Sequence, residues 1–248
     1  MQQPGYQPVW REVFRVHSSD IGYHGRMRIS NVCRYFQEVA GRHAEHLDVG
    51  YTSMRAAGLA WVLSRLSLEI RDLPRWGDEF FVETWPLGTE RVLFRRDYHI
   101  ECGGETVVSA SSWWIPLDLN SRRPRRVEID LPVLKANAGR FGIDGDFVRI
   151  PPVTGTPPEE CYTARYTDLD ENHHVNNTRY VEWVFDHMGL DVPEGGPRSF
   201  AIEYKQEIKP GESILMRKCT DPDDPSVVVT EGLTADSRQV SLRARISF

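Results

Sequence analysis

Acid, amide and imidazole side chains crowd one short stretch of this chain, Thr167-Asp168-Leu169-Asp170-Glu171-Asn172-His173-His174-Val175-Asn176-Asn177. A histidine or carboxylate can position or deprotonate water, and an amide can orient water or a carbonyl oxygen. Val181, Val184, Phe185 and Met188 follow at helical spacing, which puts the cluster at a helix N-terminus. Backbone N–H groups there lack intrahelical partners and carry the positive end of the helix dipole, so they suit an oxyanion developing on a carbonyl. The plainer alternative is a polar loop whose Asp and Asn residues cap turns. Another carboxylate, Glu207, alternates with Lys205 and Lys209, a phase that also fits the solvated face of a strand.

Other chemistries find little support. No G-x-S-x-G elbow, glycine-rich dinucleotide loop or P-loop occurs, and Gly103-Gly104 reads as a hairpin turn. His43 and His46 share a helical spacing but lack a cluster of further ligands, so both are expected on a helix surface and no metal site is predicted. Cys33, Cys102, Cys161 and Cys219 are too far apart for a CxxC site or a disulfide scaffold, and are expected to be reduced and buried. Trp113 and Trp114 read first as core residues.

The 248 residues, 40% of them hydrophobic, are enough for a real core, and the net charge of −6 argues against a nucleic-acid binder. One basic run stands out, Arg122, Arg123, Arg125 and Arg126, which alone reads as a solvated turn. The longest apolar run, Ala56 to Leu63, is far shorter than the roughly 20 residues that span a bilayer, and the opening Met1-Gln-Gln-Pro-Gly lacks the pattern of a signal peptide. A cytoplasmic protein without a membrane span is expected.

The elements that must position the cluster emerge from an internal repeat. Laying the segment from Asp20 over that from Asp168, a shift of 148 residues without a gap, places Val32 to Glu38 on Tyr180 to Asp186 with matching apolar, aromatic and acidic character. Each copy has a helix, then strand-like alternation: Leu66, Leu68 and Ile70 in the first, Ile202, Tyr204 and Ile208 in the second. Further strands are predicted at Glu79–Trp85, Val92–Glu101 and Thr106–Leu117, then at Ser213–Cys219, Ser226–Glu231 and Val240–Phe248. Each half thus reads as one early helix and about five antiparallel strands. The divisions are a first domain over 1–131, a proline- and glycine-rich connection over 132–160, and a second domain over 161–248. Under the same shift Gly22, His24 and Arg26 fall opposite Asp170, Asn172 and His174, and Leu68-Glu69-Ile70 echoes Gln206-Glu207-Ile208 so that Glu69 stands opposite Glu207; only the glutamate keeps its type, and one active site is expected for two repeats.

The run Asp168 to Tyr180 resembles the D-x-N-x-H-x-N-N-x-x-Y motif of plant and bacterial acyl-ACP thioesterases, with Ile202-Glu203-Tyr204-Lys205-Gln206-Glu207 following as in that family. Arg95-Arg96-Asp97-Tyr98-His99-Ile100, Ser109 to Ile115 and Asn120-Ser121-Arg122-Arg123 resemble its arginine-rich strand, S-x-W segment and N-x-x-R-R turn. The resemblance implies an α+β double hotdog, two tandem domains each wrapping an antiparallel sheet around a helix, the first holding the acyl chain. It implies Asp170, Asn172, His174 and Glu207 as the catalytic set, no cofactor, and a substrate carried on the phosphopantetheine arm of acyl carrier protein. Trp113 and Trp114 become candidates for the acyl channel. The four arginines become a candidate rim for the acidic carrier. The family often has Cys after the glutamate, whereas this chain has Ile208, so direct attack by water is favoured over a thiol nucleophile. An acyl-CoA thioesterase on the same fold, or a non-catalytic acyl-thioester-binding protein, are the alternatives. A monomer and a homodimer both remain compatible with a tandem chain.

Overall fold

The computed structural model describes residues 6–90 and 92–248; the reading of the first five residues as no signal peptide lies outside that range. In chain order the elements are β1 (Trp10–Arg15), α1 (Ile29–His46), α2 (Tyr51–Ala56), β2 (Leu59–Ile70), β3 (Glu79–Glu90), β4 (Leu93–Cys102), β5 (Glu105–Asp118) and α3 (Pro132–Ala136). There follow β6 (Glu160–Thr163), α4 (Asn177–Met188), β7 (Ser199–Tyr204), β8 (Ser213–Thr220), β9 (Val227–Thr234) and β10 (Val240–Ser247). Among the described residues no helix is long and apolar enough to cross a membrane.

The chain divides into two compact units, one built from the residues up to Met27 with Val32–Gly145, the other from Arg28–Asn31 with Asp146–Phe248. In the first, antiparallel pairing gives the strand order β1-β3-β4-β5-β2. In the second the order is β6-β8-β9-β10-β7, the same topology strand for strand. Each sheet receives a helix on one face. Phe36 of α1 stacks on Tyr98 at 4.6 Å between centroids, and Tyr35 meets Phe80 edge-on at 5.0 Å. Phe185 of α4 lies against Phe200 and Tyr180 against Tyr204. Such aromatic pairs add about 0.5–1.5 kcal/mol each beyond the area they bury. This is the hotdog arrangement, an α+β fold.

The opposite faces are closed by the connection between the units, an ordered segment rather than a loose one. The Trp85 indole N–H donates to the Arg140 carbonyl at 2.7 Å, and Asn137 donates to the carbonyls of Pro8 and Pro86. Arg95, paired with Asp97 at 2.9 Å, also donates to the carbonyls of Ile143 and Gly145. Gly142 lies so close to the sheet that a Cβ there would sit 2.8 Å from the Ala110 carbonyl oxygen. In the second unit Ile150 and Val153 pack on Val229 with Phe147, Ala201 and Cys219.

The repeat is real, but its gapless shift is not. The 148-residue offset holds from the first strand through the helix start: β1 over Glu12–Arg15 matches β6, the turn at Ser18–Asp20 matches that at Tyr166–Asp168, and Ile29 matches Asn177. Beyond the helix, α2 lengthens only the first copy. The Met27 N–H donates to the Pro74 carbonyl where the Val175 N–H donates to that of Ile208, so the offset falls to 134 residues. Glu207 therefore corresponds to buried Leu73, not to Glu69, whose counterpart is Glu203.

Two further expectations change. Only Cys33 is buried; Cys102 and Cys219 are partly exposed and Cys161 exposed, although all four are free thiols. His43 is not on the helix surface but fully buried. Its Nε2 meets the Gln7 carbonyl at 2.8 Å and its Nδ1 meets the Arg96 guanidinium at 3.0 Å, which makes Nδ1 the acceptor and the ring neutral. Burial, and then the Arg96 charge, push its pKa down to about 4. Between that value and the ordinary 6.5 the unfolded chain binds a proton that the folded chain refuses, so stability rises with pH across this window. Chemical denaturation at a series of pH values should show the wild type losing on the order of 2–3 kcal/mol more than His43→Gln as pH falls from 6.5 to 4. Equal losses would show that His43 titrates as it does in the unfolded chain.

Candidate active site

The motif loop is built on one buried carboxylate. Asp168 ends a 3₁₀ turn, and its Oδ2 accepts the Arg165 N–H at 2.7 Å while its carbonyl accepts the Asn176 N–H at 2.8 Å. The Arg179 guanidinium neutralises Asp168, with Nε 2.5 Å from Oδ1. The strand-like bridge between Leu169 and Val175 then forces the five intervening residues into a tight turn. Within it the Asp170 N–H donates to the His174 carbonyl at 2.9 Å, and Asp170 Oδ1 accepts the N–H groups of Asn172 at 2.8 Å and His174 at 3.4 Å. Asp170 is thus the turn's internal brace. His173 takes the left-handed conformation with φ of 60°, where the first unit places Gly25 at 70°.

Asn176 caps the helix that follows, its Oδ1 accepting both the N–H and the hydroxyl of Thr178. Val175 turns inward, and its N–H donates to the Ile208 carbonyl at 3.1 Å. This one backbone bond sets the motif loop beside the segment carrying Glu207. That segment is a loop: β7 stops at Tyr204, so the strand position read for Glu207 from its alternation with lysines is corrected. Its backbone is tied on both sides. Ser241 accepts the N–H groups of Lys205 and Gln206 on its carbonyl and donates its hydroxyl to the Gln206 carbonyl at 2.6 Å. The Ile208 N–H donates to the Tyr180 hydroxyl at 2.9 Å.

Two of the four expected site residues consequently touch: His174 Nε2 lies 3.3 Å from Glu207 Oε2, with their side chains 18% and 41% exposed. A carboxylate open to solvent yet fixed against an imidazole is placed to take a proton from water. Asp170 braces the loop beneath them. Asn172 projects from the same loop as an exposed residue, two positions before His174. Asp168, Arg179, Tyr180 and Ser241 are what the sequence reading missed. The first three stand inside or beside the motif, whereas Ser241 acts through backbone groups 35 residues away and leaves no local signal. Among the described residues no group of three or more His, Cys, Asp or Glu side chains is arranged to hold a metal ion.

The first unit repeats this scaffold without its chemistry. Gly22 and Arg26 bond as Asp170 and His174 do, but an Arg26–Asp72 ion pair replaces the imidazole and carboxylate, and Leu73 takes the place of Glu207. Of the two tryptophans, Trp114 donates to Ser112 Oγ at 2.7 Å; Ser112 in turn bonds the Tyr98 hydroxyl, on the side of β4 that stacks on α1. Trp113 lies on the other face, beneath Arg95 and close to the connection. Arg122, Arg123, Arg125 and Arg126 are all exposed on a turn after β5. Asp118 organises that turn by accepting the N–H groups of Asn120 and Ser121, bonds that hold its carboxyl below the usual range, and it pairs with Arg125 at 3.3 Å.

Known proteins place these features in a family. Residues 7–133 match the acyl-ACP thioesterase N-terminal domain and residues 154–248 the C-terminal domain. A chloroplastic palmitoyl-acyl carrier protein thioesterase of Arabidopsis thaliana is 29% identical over 220 residues, covering 80% of this chain and 52% of that protein. Oleoyl-acyl carrier protein thioesterase 2 of the same plant is 26% identical over 93% of this chain and 69% of its own length. The chain spans about half the length of the first of these relatives. In fold it is similar to an acyl-ACP thioesterase of Bacteroides thetaiotaomicron, with a TM-score of 0.83 at 24% identity over 97% of this chain and 98% of that one. A 12:0-ACP thioesterase from Umbellularia californica gives the same TM-score and identity over 99% and 98%.

The paired turns make a direct test of backbone strain. A Cβ at Gly25 would meet nothing within 4 Å, so Gly25→Ala carries only the left-handed penalty and should cost about 1 kcal/mol in thermal unfolding. His173→Gly, which removes that penalty from the second turn, should leave stability unchanged or slightly raised. A stabilising Gly25→Ala would contradict the turn geometry.

Proposed function

Because the chain belongs to the acyl-ACP thioesterase family, matched in both halves, we propose that it hydrolyses acyl-acyl carrier protein to a free fatty acid and the carrier. The observation that carries the reading is the 3.3 Å contact between His174 and Glu207, made by two loops of one unit around a solvent-open carboxylate. Glu207 takes a proton from water, whose oxygen bonds to the thioester carbon. The Asn172 amide positions the water or the carbonyl, and the N-terminus of α4 opposes the negative charge on the carbonyl oxygen. Collapse of the tetrahedral intermediate breaks the C–S bond, and the phosphopantetheine sulfur leaves as a thiol with a proton passed through His174. Asp170 keeps the loop in register throughout.

In this reading the N-terminal domain holds the acyl chain, with Trp114 on the sheet face that meets α1, and the C-terminal domain carries out the chemistry. Trp113, on the opposite face, supports the sheet. The exposed arginine turn gathers four guanidinium groups on a chain of net charge −6, which supports a role in steering the acidic carrier. Four free thiols fit a reducing compartment, and we place the enzyme in the cytoplasm.

Hydrolysis of matched acyl-ACP and acyl-CoA panels tests the reading: acyl-ACP should be preferred, preference for acyl-CoA would reassign the carrier, and no hydrolysis of either would leave a binding protein. Glu207→Gln, His174→Ala and Asn172→Ala should each lower the rate at least about a hundredfold, while native-state thiol alkylation has little effect. Glu69→Gln should leave the rate within about twofold, because Glu69 lies on a strand away from the corresponding loop. Activity that survives Glu207→Gln but is lost on alkylation would overturn the water mechanism.

Replacing Arg122, Arg123, Arg125 and Arg126 by Ala should slow turnover of acyl-ACP more than that of a short acyl thioester without the protein carrier, with the difference shrinking at high salt. Equal losses on both substrates at every ionic strength would make the turn structural.

A further inference from the structure

The carboxylate at the centre of the site stands between two neighbours whose backbones are both tied. Gln206 is tied to Ser241 by two bonds, one from its N–H and one to its carbonyl. Ile208 is tied by its carbonyl to Val175 and by its N–H to the Tyr180 hydroxyl. Tyr180 stands one turn into α4, only 3% exposed, with its ring wedged edge-on between Trp183 at 5.5 Å and Tyr204 at 5.7 Å. Ring packing fixes where the hydroxyl lies, and the hydroxyl fixes where residue 208 lies. Burial pushes the phenol above the ordinary tyrosine range, so it remains neutral and can accept the Ile208 N–H at every working pH. The charge of Glu207 raises it further.

We infer that Tyr180, assisted by Ser241, is the positioning residue of the hydrolytic site, holding Glu207 against His174 through the backbone on either side of it. The inference rests on the proposed role of Glu207. Tyr180 needs no contact with substrate: its hydroxyl joins the helix that carries the oxyanion-stabilising N-terminus to the loop that carries the base, so both move as one body. Removing the hydroxyl leaves the Ile208 N–H without its acceptor and frees the loop to shift, and displacements near 1 Å cost reactions about a hundredfold when geometry is the source of rate.

The test is a kinetic cycle on the full chain with acyl-ACP. Tyr180→Phe keeps the ring and removes the acceptor; kcat is expected to fall about 10- to 50-fold while KM stays within about twofold, because ground-state binding of the acyl chain is untouched. Introduced into Glu207→Gln, the same substitution should change kcat by less than about twofold, since a misplaced base cannot matter once the base is gone. Ser241→Ala, which keeps the Ser241 carbonyl and removes only the hydroxyl, should show a smaller loss with the same non-additivity and carries the test if Tyr180→Phe does not fold. A slow Glu207→Gln beside a wild-type-like Tyr180→Phe, or a Tyr180→Phe loss that persists undiminished on Glu207→Gln, would overturn the positioning role alone. A Glu207→Gln enzyme with wild-type kcat would overturn the reading of Glu207 as base.

Discussion

A single backbone hydrogen bond, from the Val175 N–H to the Ile208 carbonyl, is the constraint on which the site depends. It joins two loops 33 residues apart. Without it the imidazole and the carboxylate belong to separate surface turns, and a 3.3 Å contact between partly exposed side chains would contribute little on its own. Everything around the bond holds its two ends. Asp168 and the Leu169–Val175 bridge shape the donor's loop, and Tyr180 and Ser241 shape the acceptor's. The geometry of the site is therefore carried largely by backbone bonds, and the side chains of His174 and Glu207 are passengers on it.

The same bond exists in the first unit, from the Met27 N–H to the Pro74 carbonyl, and so do the 3₁₀ turn, the bridge and the left-handed residue. What differs is what the scaffold presents. An arginine paired with Asp72 and a buried leucine stand where the second unit has a histidine and a glutamate. Hydrolysis draws on interactions made more strongly in the transition state than in the ground state, and a salt bridge closed on itself offers none. The duplicated fold thus presents two different sets of side chains on one topology.

Much of this was legible in the sequence because it depends on local pattern. The two long helices announce themselves through apolar spacing, most strands through alternation, and the site loop through a density of acid, amide and imidazole found nowhere else in the chain. What was not legible depends on pairing at a distance. The gapless repeat fails at α2, an insertion that changes the offset without disturbing the periodicity on either side, and the echo of Leu68-Glu69-Ile70 in Gln206-Glu207-Ile208 is only local, because the counterpart of Glu69 is Glu203. Glu207 keeps a strand's alternation in a segment that has already left the sheet. His43 shows the same limit: a histidine at a helical position says nothing of the Arg96 guanidinium and Gln7 carbonyl that allow it to be buried. Ser241 is an ordinary small polar residue until β10 brings it beside Gln206.

The place of Ile208 carries the argument one step further. Its side chain is fully buried, while its N–H and carbonyl both help join Glu207's loop to the rest of the site. A cysteine in that position would have to send its sulfur the same way, into the core and away from the solvent-open carboxylate. Burial in apolar surroundings raises a thiol's pKa and makes it inert, as Cys33 illustrates, pushed up to about 12 by desolvation. The residue after the glutamate therefore serves the site through its main chain, which isoleucine supplies as well as cysteine does. Its side chain adds what a thiol would not, a larger branched apolar group in a fully buried position.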